Sequence, residues 1–332
     1  MRSMELGRGG PRVSVLGVGA MSFADFYGAT NEANSHAILD AARDAGVTHI
    51  DTANVYGAGR SESSIGSYLK ANPGARDAFV IATKAGITRD ADGNRAFKNS
   101  LEHMGAELDK SLEHLGLDAV DLFYVHRRDH SVPIEEVAGT MGRLVEKGKA
   151  KAIGFSEIAP TSLKKAHAVH PIAAVQSEYS LSTRAPELGL VQTCKVLGVA
   201  LVAFSPVGRS FLTDHPLSFE KAQSLSFTNV NPRFVAPNYQ NNIKATDRLR
   251  VLAKDMGEPT AALAIAWVLA QGDHILPIPG TRSVEHFSEL VRGAHLELSA
   301  GDLAAIEEAL PVGWAHGDRY TEAQWKGPER YG

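Results

Sequence analysis

Cysteine is nearly absent: Cys194 is the single thiol in a chain of 332 residues. One thiol cannot close an internal disulfide and is too few for a thiolate metal cage, so a disulfide scaffold and a zinc ribbon are both excluded. A surplus of one charge is missing as well. With 34 basic and 38 acidic side chains the formal charge is −4, which offers no overall attraction to nucleic-acid phosphates or anionic lipid. Long apolar runs are lacking too: Val196 to Phe204 and Ala261 to Ala270 fall well short of the ~20 residues that span a bilayer. Met1 to Pro11 has no apolar h-region, and the expected setting is the reducing cytoplasm, without nucleic-acid or membrane partners. What remains is ordinary globular composition, 44% hydrophobic and 22% charged, sufficient for a sizeable core.

No composition shift or Gly/Ser/Pro linker divides the chain, so one domain over residues 1–332 is expected, although ~150 residues per domain would allow two. Eight short apolar runs read as strands: Val15 to Val18, His49 to Asp51, Phe79 to Thr83, Val120 to Val125, Ala152 to Phe155, Ala174 to Gln176, Val199 to Phe204 and Ile275 to Ile278. Helix-period segments separate them, among them Ser35 to Ala45, Asn99 to Leu115 and Ile134 to Lys147. Strands that are apolar throughout are covered on both faces, as in a parallel sheet wrapped by helices. Eight such units predict an α/β fold of the (β/α)₈ TIM-barrel type. The competing doubly wound sheet needs a third glycine after Gly17-Val18-Gly19, where Ser22 stands instead. Residues Glu5 to Val13 predict a β-hairpin plugging the barrel bottom. Residues 205–242, polar and poorly periodic, form a long loop after strand 7, read as a lid and cofactor loop or as disorder. Residues 311–332 form a C-terminal tail with the aromatic residues Trp314, Tyr320, Trp325 and Tyr331, expected to pack on its own barrel or on another subunit, so a homo-oligomer is left open.

Functional groups of such barrels sit at the C-terminal ends of strands. Asp51 ends the second strand with Tyr56 just beyond, Lys84 ends the third, and His126 follows the fourth. Singly, each has a structural explanation as a cap, turn or solvated terminus. Together, an acid, a phenol, an amine and an imidazole at three successive exits suit proton donation to a carbonyl oxygen. A phenol of pKa about 10 is a weak acid at neutral pH, and the expectation is that the Lys84 ammonium lowers it while Asp51 holds the lysine. His126 would orient the carbonyl.

This constellation resembles the aldo-keto reductase superfamily across nearly the whole chain. The resemblance runs through Gly17 to Met21, Asp51-Thr52-Ala53 with Tyr56-Gly57, Thr83-Lys84, Tyr124 to Arg127, Ile153 to Glu157, Gln176 to Ser180, Phe204 to Leu212 and Pro279 to Arg282. It implies reversible hydride transfer between a nicotinamide cofactor and an aldehyde or ketone, with Tyr56, Asp51, Lys84 and His126 as the catalytic residues. It also implies a cofactor site formed by Gly19, Ala20, Met21, Asp51, Ser156, Gln176, Phe204, Ser205, Val207, Gly208, Arg209, Gly280, Thr281, Arg282, His286 and Glu289. Ser156 and Gln176 would hold the nicotinamide carboxamide, Phe204 would stack on its ring, and Arg209 would offer a cation to the pyrophosphate. His286 stands where relatives commonly carry Arg, and Leu290 where they carry Asn. Arg282 with helix N-terminal amides favours NADP(H), while NAD(H) or dual use is left open.

The substrate is expected to be a small polar or sugar-like carbonyl held by Phe23, Tyr56, His126, Arg127 and Arg233, with Phe23, Phe26 and Tyr27 as candidate pocket walls and the arginines meeting hydroxyls or an acidic group. Two other classes are each opposed by particular residues. A noncatalytic cofactor-binding regulatory module is opposed by Tyr56 and Lys84 both being present. A metal-dependent barrel hydrolase is opposed by the lack of a His-x-His pair and by an expected placement of His49 on the opposite side of its strand from Asp51, so no metal is expected.

Overall fold

The computed structural model describes residues 1–331. Its strands are β1 (Ser3–Glu5), β2 (Arg12–Ser14), β3 (Val18–Gly19), β4 (His49–Asp51), β5 (Val80–Ala85), β6 (Ile87–Arg89), β7 (Arg95–Phe97), β8 (Leu122–Val125), β9 (Ile153–Ser156), β10 (Ala174–Glu178), β11 (Ala200–Phe204) and β12 (Ile275–Pro277). Eight of these are hydrogen-bonded side by side in the order β3-β4-β5-β8-β9-β10-β11-β12, all parallel. The two outer strands meet: Gly17 N donates to Pro277 O at 3.0 Å and Gly19 N to Pro279 O at 2.9 Å, closing a (β/α)₈ barrel. That closure depends on glycine, because a Cβ on Gly19 would lie 2.5 Å from Ile278 O.

Near-continuous apolar strands such as Leu122-Phe123-Tyr124-Val125 are buried throughout, by side chains inside the barrel and by helices outside. The helices carry their own punctuation. The Ser100 side chain caps the helix Leu101–Leu115, which stops at Gly116 in the left-handed region (φ 67°). Ser299 and Asp302 form a reciprocal capping box on the helix Ala300–Ala309. The apolar run Ala261 to Ala270 lies in the helix Thr260–Ala270, packed against Val284–His295 on one side and Asn238–Asp255 on another, which explains why it is apolar all round.

The N-terminal hairpin forms from β1 and β2, with Met4 paired to Val13. It lies under the barrel: Arg8 N donates to Gly198 O at 2.7 Å, and a Cβ on Gly7 would meet Ala173 O at 2.6 Å, both at strand N-termini. Residues 205–242 hold a 3₁₀ turn, the short helix Phe219–Ser224 and the start of the helix Asn238–Asp255, with a small core of Phe211, Ala222, Phe234 and Tyr239. The hairpin β6–β7 has no counterpart in the strand reading above, although Asp92-Gly93 at its tip is a turn signal.

Candidate active site

Strand register sets the site. Pairing aligns Asp51 with Ala82 and Lys84 with Tyr124, so successive strand ends deliver their polar groups to one mouth. Lys84, fully buried, donates to Asp51 Oδ1 and, at 2.7 Å, to the carbonyl of Thr52. Asp51 uses its second oxygen to accept from Gln176 Nε2 at 2.7 Å. The Lys84 ammonium lies 5.3 Å from the centroid of the Tyr56 ring. His126 meets that ring edge-on, with centroids 5.8 Å apart and planes at 88°. All four residues named from the sequence are thus brought together.

The electrostatics differ from expectation in one respect. Burial, followed by the negative charge of Asp51, pushes the Tyr56 phenol above its ordinary 10.0 rather than below it. Lys84 does not lower the phenol because its charge is already answered by Asp51, and burial lowers its own pKa. Tyr56 therefore keeps its proton in the free site. Burial, with Arg127, Lys84 and Arg95 nearby, holds His126 well below 6.5, so the imidazole is neutral. His49 is lowered by burial too, and neither of its ring nitrogens has a partner. His49 and Asp51 are two residues apart on one strand and share its inward face, which corrects the opposite-side placement expected above.

These two histidines have a pH consequence. Each folded-state pKa lies below the unfolded one, so their contribution to stability is complete above pH 6.5 and is lost as pH falls below it. Melting curves between pH 7 and 5 are expected to show stability falling by up to about 1.4 kcal/mol per pH unit per histidine. His126→Gln and His49→Asn should each flatten that slope. Unchanged slopes in both variants would contradict the assignment.

A cavity of 820 Å³ extends from Tyr56, His126 and Arg127 past Ser156, Gln176 and Phe204 to Thr281, Arg282, His286 and Glu289. Its size is near the top of the ~300–1,000 Å³ usual for small-molecule and cofactor sites. Gly19, Met21, Ser205, Val207 and Gly280 also line it. At the strand-7 exit Ser205, Arg209 and Ser210 all have positive φ (51°, 54° and 86°), a strained turn of the kind held at functional sites. The helix Val284–His295 begins at the far end, capped by Ser283.

Several expected positions are corrected. Ala20 and Gly208 are buried behind the cavity wall, Ala20 O accepting from Ser61 Oγ and Gly208 packing on Ser182 and Leu212. Of the three aromatic residues expected as pocket walls, Phe26 and Tyr27 line the cavity, and Phe23 belongs to the core. Arg209 lines the cavity, and its guanidinium is engaged by Glu178 at 2.6 Å. Arg233 turns inward to Glu178, Thr183 and the Ser182 carbonyl, away from the cavity. The cause is common to both: the buried Glu178 engages both guanidinium groups, while the equally buried Glu157 takes Arg319.

The same glutamates fasten the C-terminal tail over its own barrel. Arg319 pairs with Glu157 and is sandwiched by Tyr320 and Trp325, 4.7 and 4.6 Å from their centroids. Burial drives the Glu157 carboxyl up, but Arg319 outweighs it and the net shift is downward. Glu329 adds bonds to Arg128 and to Ala159 N. Tyr320 and Gln324 thereby become part of the cavity wall. The aromatic tail was visible in the sequence, but which of its side chains would reach the site was not. Arg95, from β7, also lines the cavity.

Comparison with known proteins places the chain in one family. Residues 15–311 match the model of the Aldo/keto reductase family. A probable aldo-keto reductase 1 of Glycine max is 39% identical over 96% of this chain and 92% of its own length. The aldo-keto reductase yakc [NADP(+)] of Schizosaccharomyces pombe is 34% identical over 94% of this chain and 93% of its own. A glycerol dehydrogenase structure from Gluconobacter oxydans superposes with a TM-score of 0.79 at 25% identity, covering 90% of this chain and 92% of that one. Among the described residues no group of three or more His, Cys, Asp or Glu is placed to hold a metal ion, and the hydrolase alternative is not favoured. A closed parallel barrel carrying a buried Asp–Lys pair under a tyrosine, matched over nearly its full length, identifies the chain as an oxidoreductase of the aldo/keto reductase family.

Proposed function

We propose that the protein reduces a small polar aldehyde or ketone to the alcohol with NADP(H), Tyr56 supplying the proton. The observation that carries this reading is the Tyr56 ring held between the Lys84 ammonium and the His126 imidazole at the head of a dinucleotide-sized cavity.

A bound nicotinamide supplies the hydride when a carbonyl is reduced. The residues present fit such a group. Ser156 and Gln176 reach the cavity from adjacent strand ends, and Phe204 offers an apolar face beside them. Arg282, His286 and the N-terminus of Val284–His295 suit a phosphate at the far end. The NADP(+) in the name of the yakc relative supports NADP(H) over NAD(H).

The chain's own chemistry is the proton. The neutral His126 has its Nδ1 buried, and its ring edge faces the cavity, suited to orienting a carbonyl oxygen toward Tyr56. A phenol that holds its proton firmly is still a stronger acid than the product alcohol, so Tyr56 Oη gives its proton to the carbonyl oxygen as that oxygen gains negative charge. Lys84, 5.3 Å from the ring centroid, then faces a phenolate, which is reprotonated from solvent. Asp51 and Gln176 keep that ammonium in place.

The test is absorbance of NADPH, and separately of NADH, during addition of an aldehyde panel that includes benzaldehyde and glyceraldehyde. Carbonyl-dependent oxidation of NADPH, faster than of NADH, is expected. No carbonyl-dependent oxidation of either cofactor would overturn the reading.

A further inference from the structure

The substrate end of the cavity carries more positive than negative charge, although the whole chain is net negative at −4. Arg209, Arg233 and Arg319 face Glu157, Glu178 and, nearer the surface, Asp318. Lys84 is matched by Asp51. Two further guanidinium groups, Arg127 and Arg95, line the cavity, and neither has an ion-pair partner among the described residues.

Arg127 is 7% exposed and follows His126 directly in the chain. Its Nη1 donates to His126 O at 2.7 Å and Ser156 Oγ at 3.0 Å, and its Nη2 makes a long contact of 3.4 Å to Tyr320 Oη. Its Nε is buried with no partner at all. Arg95 stands at the exposed rim of the same mouth, on β7, its guanidinium 5.5 Å from the Phe97 ring. Desolvation, with Arg127 close by, lowers the pKa of Arg95, as expected where two cations share one space. Glu157 feels the charge of Arg127 without pairing with it, so a buried arginine lacking a direct ion-pair partner, beside a second unpaired arginine, is an arrangement that an incoming anion completes.

We infer that Arg127 and Arg95 form an anion subsite next to Tyr56 and His126, and that the substrate is an aldehyde or ketone bearing a carboxylate or a phosphate. The inference rests on the carbonyl-reductase reading and narrows its substrate class. Arg127 donates to the anion from the side its own contacts leave open, Nη2 and Nε, because both Nη1 hydrogens are engaged, and Arg95 closes over it from the rim. The apolar walls Phe26, Val55 and Ile87 take the carbon skeleton between. The bonds of Nη1 to His126 O and Ser156 Oγ set the direction in which Arg127 points, and Tyr320, delivered by the tail, flanks it.

The experiment compares matched pairs with the same cofactor: 4-carboxybenzaldehyde against benzaldehyde, and glyceraldehyde 3-phosphate against glyceraldehyde. The anionic member is expected to have a kcat/KM about tenfold or more higher, carried mainly by KM and shrinking as salt is raised. The better of the two anionic members identifies carboxylate or phosphate. Arg95→Gln should reduce the anionic-to-neutral ratio by about tenfold, and Arg95→Lys should restore part of it. Binding of benzoate against benzamide, followed by calorimetry, reads the subsite without turnover; benzoate should bind more tightly and lose that advantage in Arg95→Gln. Reduction of benzaldehyde with no anion preference in either pair overturns the inference and leaves carbonyl reduction standing. Benzoate binding that depends on Arg95, in a protein that oxidises no cofactor with any carbonyl, supports the anion subsite and overturns the reductase reading instead.

Discussion

Tyr56→Phe is expected to lower kcat for carbonyl reduction by about 10²- to 10⁴-fold, the usual contribution of a positioned general acid. At ~1.4 kcal/mol per factor of ten this is a rise of roughly 3–5 kcal/mol in the barrier. The substitution removes one oxygen and leaves the ring between Phe26 and His126, so the dissociation constant for NADPH and the melting temperature should hardly move. The pH profile gives a second check. Because burial and Asp51 raise the phenol above 10.0, Tyr56 retains its proton, and reduction should not decline through its ionisation at any pH up to about 10. Lys84 is different: burial lowers it from 10.5, so an alkaline decline starting below that value belongs to the ammonium. Single-turnover kinetics at pH 7 to 10 distinguish the two. A Tyr56→Phe enzyme with wild-type kcat would remove the phenol from the chemistry altogether.

Glu178→Ala is expected to give the largest loss of stability. Glu178 is 1% exposed and accepts from Arg209 at 2.6 Å and Thr183 Oγ1 at 3.0 Å, with Arg233 and Arg319 at 3.4 and 3.6 Å. Removing one member of such a cluster leaves the others buried and uncompensated, a change that typically costs about 3–5 kcal/mol. For a long chain, at roughly 2 °C per kcal/mol, melting should fall by about 6–10 °C. The loss should also appear as faster proteolysis after residue 310, because Arg209 donates to Arg319 O and Arg319 lies against Glu178. Glu178→Gln keeps the shape and removes the charge, so it separates packing from electrostatics. Loss of less than about 1 kcal/mol in Glu178→Ala, measured by denaturant titration, would show that the arginines are stabilised by solvent rather than by this carboxylate.

Much of the site was legible in the residues. Asp51, Lys84 and His126 lie at or just after strand ends, and a parallel barrel has only one face where such ends gather. Periodicity located those strands because side chains buried on both faces are apolar without interruption. The engagement of Arg209 and Arg233 was not legible, for the opposite reason. A guanidinium on a loop reads as a free cation, and nothing local reveals that Glu157 and Glu178 lie buried within reach. Phe23 and Phe26 are three residues apart with similar surroundings in sequence, and only the 3₁₀ turns at Ala20–Phe23 and Asp25–Tyr27 decide which ring enters the core. The phenol's acidity was misjudged because a charge acts according to what already neutralises it, and Asp51 stands closer to Lys84 than Tyr56 does.

The order of residues alone therefore determined the barrel, its functional end and the four groups that meet there, since these follow from short-range pattern and from the topology that pattern imposes. Folding in three dimensions decided which cations remain free, because an ion pair is fixed by separation in space and not along the chain. It also decided that Tyr320, some 190 residues beyond Arg127, shares a wall with it. Burial supplied the last step, raising one pKa and lowering others according to how much water each side chain keeps.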